Sequence, residues 1–161
     1  MAHILVLAWG NPSRGDDALG PAFIDRVKRD LKATIHTIDY VTDFQLQPEH
    51  ATDLQGRDVV LFVDASATAS GPFTFSAVVP ARDPSFTTHA MSPAALLAAY
   101  HGAFHADPPP SYALAIRGEH FVLGEPMSAA AGRNLDAAVA FFIANIARNV
   151  PPQWPRWLTR R

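Results

Sequence analysis

His3-Ile4-Leu5-Val6-Leu7-Ala8-Trp9, followed at once by Gly10-Asn11-Pro12-Ser13-Arg14-Gly15-Asp16-Asp17-Ala18-Leu19-Gly20, is the stretch that decides the fold. Its first seven residues are a nearly continuous apolar run without alternation, the pattern of a strand buried on both faces of a parallel sheet. A strand covered on both sides needs helices on both sides. The sequence therefore predicts a three-layer α/β/α sandwich around a mostly parallel, twisted sheet of about five strands. Leu19, Phe23, Val27 and Leu31 recur at helical spacing, with Pro21 where an early helical turn tolerates it. The order strand, loop, helix sets Asp16 and Asp17 beyond the carboxyl end of the first strand, the edge where open α/β sheets bind ligands.

Several readings of this turn compete. An aspartate just before a helix commonly caps it and favours the positive end of its dipole. Two in a row fit that role less well, because one takes the cap geometry and the other adds like charge. The dinucleotide fingerprint fails, since Gly10 is followed by Pro12 and Ser13 rather than by glycines at G-x-G-x-x-G, and paired acids oppose a pyrophosphate. No Gly-Lys-Ser/Thr follows, so the phosphate loop of nucleotide hydrolases is absent as well. The segment favours a cation over a phosphate.

Composition narrows the chemistry further. The chain of 161 residues is expected to form a single domain over 1–150 with an extended tail over 151–161, where Pro151, Pro152 and Pro155 forbid a helix. Hydrophobic residues make up 48% and charged residues 17%, as in a globular protein, and no apolar run is long enough to span a membrane. The amino terminus enters a strand without a basic segment and cleavage site, which predicts no secretory signal and a cytoplasmic protein. With no cysteine, thiolate catalysis and thiolate metal sites are excluded, leaving carboxylates and histidines as strong ligands. A net charge of −2 argues against nucleic-acid binding.

Further along, Thr34–Tyr40 reads as a β-branched second strand, Gln45–Leu54 as a short helix, and Asp58–Val63 as a buried third strand delivering Asp64 at its carboxyl end. In a β-α-β-α-β unit the third strand commonly lies beside the first, which brings Asp64 toward Asp17. Phe73–Val79 is expected to form an antiparallel strand after the Gly71-Pro72 turn. A helix is expected from Pro93 to Phe104, capped by Ser92, with His89 in the loop before it. Tyr112–Ile116 reads as the last strand, ending in Arg117-Gly118-Glu119, and Ser128 to about Asn149 as a long apolar-striped helix.

Asp17, Asp64 and His89 thus offer two carboxylates and an imidazole from three loops at one sheet edge, a donor set suited to a borderline divalent metal such as nickel or zinc. Each alone has a plainer explanation, as a cap, a turn bond or an ordinary histidine. No G-x-S-x-G elbow and no H-E-x-x-H helix is present, so a serine hydrolase and an ordinary zincin are disfavoured.

These residues carry a resemblance. The strand with Gly10-Asn11-Pro12 and Gly15-Asp16-Asp17-Ala18-Leu19-Gly20-Pro21, the strand ending on Asp64, His89-Ala90-Met91-Ser92-Pro93, and Arg117-Gly118-Glu119 with Gly124-Glu125 and Ser128 are together similar to the hydrogenase maturation proteases. These endopeptidases trim a carboxyl-terminal extension from the large subunit of nickel–iron hydrogenases. Gln45-Leu46-Gln47-Pro48-Glu49 and Ile116-Arg117-Gly118 look most like the branch serving soluble, NAD-reducing hydrogenases. The resemblance implies that Asp17, Asp64 and His89 are the metal-binding and catalytic positions, and that Asp16 orients a ligand or acts as a base. It implies recognition of nickel already inserted in the precursor, bound transiently, with no permanent cofactor. The expected partner is the large-subunit precursor, met by a monomer away from nucleic acid and membrane. A non-catalytic module that binds the nickel-loaded precursor is the alternative. Ala8 and Ala18 stand where the family usually has glycine.

Overall fold

The computed structural model describes residues 1–82 and 91–148. His89 and the 151–161 tail lie outside the described residues. The elements are β1 (His3–Trp9), α1 (Leu19–Asp30), β2 (Thr37–Asp43), β3 (Val59–Ser66), β4 (Phe73–Val78), α2 (Pro93–Phe104), β5 (Ser111–Arg117) and α3 (Ala129–Phe141). Short 3-10 helices occupy Gly15–Ala18 and Pro48–Leu54, and a π-helical turn, Phe142–Ile146, follows α3. The five strands form one sheet in the order β2-β1-β3-β5-β4. β1, β2, β3 and β5 are parallel and β4 runs antiparallel to β5.

Because side chains alternate along a strand, the unbroken apolar run of β1 supplies two cores at once. Ile4, Val6 and Ala8 pack with α1 and α3, in a cluster that includes Phe23, Leu135 and Phe142. Leu5, Leu7 and Trp9 face the other way, onto Leu54, Leu96, Leu97 and Tyr100. Ala8 is fully buried inside β1, opposite Thr42 and Val63, so the strand absorbs it before the turn begins.

Several boundaries differ from the sequence reading. The second strand starts at Thr37 rather than Thr34, because residues 34–36 form a corner. There the Thr34 hydroxyl donates to the Ala147 carbonyl at 2.7 Å, and the Ala2 amide donates to His36 Nδ1 at 3.1 Å. Pairing begins where β1 begins, with His3 opposite Thr37, and continues to Trp9 opposite Asp43. The last helix starts as expected, with the Ser128 hydroxyl accepting from the Ala131 amide at 3.1 Å, but its α-helical part closes at Phe141 and widens into the π turn.

The third strand runs to Ser66, three residues beyond the sequence boundary. β1 pairs with it only as far as Ala8 opposite Val63, whereas β5 accompanies it to Arg117 opposite Ser66. Asp64 therefore stands on a strand held on one side and released on the other, at the level where β1 turns away.

Phe62 carries the second core, 1% exposed and edge-on to Trp9 with ring centroids 6.2 Å apart. Phe62→Ala is expected to cost about 3–5 kcal/mol, read as a lowered midpoint in guanidinium denaturation with an unchanged slope.

Candidate active site

The turn after β1 is closed by contacts that only glycine permits. Gly10 has φ +146°, its amide donates to the Asp43 carbonyl at 3.0 Å, and a Cβ there would sit 2.0 Å from the Asp17 carbonyl oxygen. Gly15 has φ +54°, and a Cβ would fall 2.3 Å from the His120 carbonyl oxygen. Neither aspartate caps the helix it precedes, since no side chain caps the 3-10 turn or α1. Asp17 instead reaches back along the turn, where its Oδ2 accepts from the Asn11 amide at 2.8 Å.

Asp16 points into the protein. It has no exposed surface. Its Oδ2 accepts from the Glu119 amide at 2.8 Å, the His120 amide at 3.0 Å and the Ser128 hydroxyl at 2.9 Å, while Oδ1 accepts from the Ser128 amide at 2.7 Å. Burial alone would raise its pKa and is the largest single influence, but the hydrogen bonds together outweigh it and the pKa is lowered. The backbone tightens the same junction. Asp16 donates to the His120 carbonyl at 2.7 Å, Gly15 to that of Glu125 at 3.0 Å, and Gly124 to that of Ser13 at 2.7 Å. Arg14 Nε adds a bond to the Phe121 carbonyl at 3.0 Å, and His120 pairs with Glu125. Asp16 is thus the anchor of the 118–128 loop, and its buried, fully occupied oxygens do not fit a base acting on substrate.

Asp17 and Asp64 line one open groove of about 430 Å³ at the carboxyl edge, together with Trp9, Asn11, Arg14 and Phe44. Asp64 is half-buried; its Oδ1 accepts from the Ala65 amide at 2.8 Å, and the Trp9 indole also donates to the carboxylate. Desolvation, reinforced by the negative charge of Asp17, pushes the Asp64 pKa up to about 7 against those two stabilising bonds. A carboxyl group that titrates near neutrality in a cleft is a candidate for proton transfer or cation binding. The third expected ligand, His89, lies outside the described residues. Among the described residues no group of three His, Cys, Asp or Glu side chains could hold a metal ion.

Sequence reading missed the partners that give each acid its character. Ser128 has a local signature as a helix cap, yet the same hydroxyl also donates to Asp16, 112 residues away. Trp9 reads from sequence as the last core residue of β1, and its indole N–H goes to Asp64. Gly118 was the available signal, because a Cβ there would lie 2.8 Å from the Asp16 Cβ.

No protein-family model matches the chain, and no curated protein matches it. Solved structures do. The NiFe hydrogenase maturation protease HycI from Thermococcus kodakarensis KOD1 superposes with a TM-score of 0.67 at 18% identity, covering 89% of this chain and 91% of that one. The hydrogenase maturating endopeptidase HybD from E. coli gives 0.64 at 18%, over 94% and 98% of the two chains. An endopeptidase from Escherichia coli gives 0.66 at 19%, over 94% and 98%. At these identities the likeness establishes a shared α/β fold over nearly the whole length of each chain.

Asp16 and Asp64 should respond to pH with opposite signs. Asp16, with its lowered pKa, stabilises the fold above the unfolded value near 3.8, and that contribution is lost as pH falls through the folded value. Asp16→Ala is expected to cost about 3 kcal/mol at pH 7 and to open the 119, 120 and 128 amides to hydrogen exchange. Asp64, with its raised pKa, keeps its proton in the folded state, so its effect on stability worsens as pH rises from about 4 to about 7. Asp64→Asn, which retains an acceptor for Ala65, should melt higher than the parent at pH 8 and at the same temperature at pH 4.

Proposed function

We propose that this protein is an endopeptidase that removes the carboxyl-terminal extension of a nickel–iron hydrogenase large-subunit precursor after nickel insertion. The observation that carries the reading is the shared groove of Asp17 and Asp64, one carboxylate from the turn after β1 and one from β3, converging at the carboxyl edge of a fold common to hydrogenase maturation proteases. Such a pair attracts a divalent cation, and an imidazole from His89 would complete a donor set that suits nickel. The nickel is substrate-borne and enters with the precursor, so the protease holds no metal of its own. Segments such as Gln45-Leu46-Gln47-Pro48-Glu49 and Ile116-Arg117-Gly118 support a precursor from a soluble, cytoplasmic, NAD-reducing hydrogenase.

Each acid then has a distinct task. Asp17 is oriented by the Asn11 amide and offers its remaining lone pairs to the groove. Asp64 gives up its proton to bind the cation, a loss made easier by the positive charge that arrives. Asp16 holds the turn that presents Asp17. Asp17, Asp64 and His89 would hold the nickel, which would supply Lewis-acid polarisation of the neighbouring peptide carbonyl. Water adds to the carbonyl carbon, the C–N bond breaks, and the proton released by the water ends on the departing amine.

Purified protein incubated with nickel-loaded precursor should shorten the large subunit, seen as a mass decrease, and should leave nickel-free precursor intact. Binding without a mass change would instead make the chain a non-catalytic recognition module. His89→Ala and Asp17→Asn are expected to lower cleavage at least about 100-fold; full retained cleavage would remove those residues from the site. Because protons compete with nickel for Asp64, cleavage should fall by about tenfold per pH unit below pH 7 and level off above it.

A further inference from the structure

Beside the carboxylate groove, and sharing Trp9 and Asp64 with it, lies a second cavity of about 250 Å³. Its other walls are Phe62, Pro93, Ala113 and Ala115. Its origin is the face alternation of β5. Tyr112, Leu114 and Ile116 point into the first core and are buried, whereas Ala113 and Ala115 point the other way and are half-buried. Opposite them across the β3 ladder are Phe62 and Asp64. Two alanines are unusual where strands favour β-branched or aromatic residues. Here they leave a gap above the layer of α2, whose buried side chains Leu96, Leu97 and Tyr100 belong to the core below.

The volume is below the roughly 300–1,000 Å³ of clefts that take a whole small molecule, and it suits one side chain. The walls select its chemistry. Apart from Asp64 and Ser66, the lining is aromatic, aliphatic and proline, with Phe62 only 1% exposed, so the walls favour an apolar side chain, and an anionic one would lose its hydration beside the Asp64 carboxylate. An extended peptide advances about 3.3–3.6 Å per residue. A carbonyl placed between Asp17 and Asp64 therefore sets a neighbouring residue within reach of the slot.

We infer that this slot is a specificity pocket that receives an apolar side chain from a residue flanking the cleaved bond, with Ala113 setting its depth. The inference rests on the endopeptidase reading and deepens it. The test uses the full chain and nickel-loaded precursors carrying Ala, Leu or Asp at each position flanking the cleaved bond. At one flank the parent enzyme is expected to prefer Leu over Ala and to cleave Asp poorly. Ala113→Val shallows the slot, and should cut the Leu-to-Ala ratio of kcat/KM about tenfold, the discrimination that a methylene or two gives in an apolar pocket. Ala113→Gly deepens it, should shift the ratio the opposite way, and keeps the test open if the valine variant does not fold. Parent enzyme that cuts every precursor equally, or variants that leave the ratio unchanged, would overturn the pocket while leaving the protease reading intact. Failure of the parent to cut any nickel-loaded precursor would overturn both.

Discussion

The carboxylate of Asp16, without exposed surface, ties the turn after β1 to residues 103 to 112 positions further along the chain. An ionised group in that position is stable only because four donors surround it, and each donor would be orphaned without it. The dependence is mutual. The turn needs the 118–128 loop to satisfy Asp16, and the loop has Asp16 as its fixed point. Two glycines, at positions 15 and 118, allow the turn and the loop to approach closely enough for those bonds to form. The Ser128 hydroxyl extends the clasp into α3, since it donates to Asp16 and accepts from the first turn of the helix.

The groove is arranged around this junction. With Asp16 committed inward, its neighbour Asp17 is turned outward and fixed by the Asn11 amide. The adjacent acids that look equivalent in sequence thus divide into an anchor and a ligand candidate, separated by which direction the 3-10 turn points each side chain. Asp64 reaches the same groove from a strand that outruns its β1 neighbour. Its environment is partly dry and faces a like charge, which pushes its pKa up to about 7.

Much of the architecture was legible because it follows from one-dimensional pattern. The unbroken apolar run of β1 dictated burial on both faces, and the helical spacing after it dictated α1. The Gly71-Pro72 turn dictated the reversal into β4, and Ser92-Pro93 the start of α2. The boundaries that moved did so through long-range bonds: the corner at 34–36 is tied to residues at the two ends of the described chain. Asp16 is the instructive case at the site. Sequence marked it as functional by adjacency to Asp17, and the fold made it structural by bringing Glu119, His120 and Ser128 to its oxygens.

The sequence by itself determined the layers, the parallel sheet and the convergence of Asp17 and Asp64 at one edge, since periodicity and chain order are local properties that survive in any compact packing. Only the tertiary structure decided what each acid is. A carboxylate's character depends on the donors, charges and water around it, and here those arrive from segments tens to more than a hundred residues away. The slot beside Asp64 has the same origin: two alanines are unremarkable in a strand until the sheet sets them against Phe62 and Asp64.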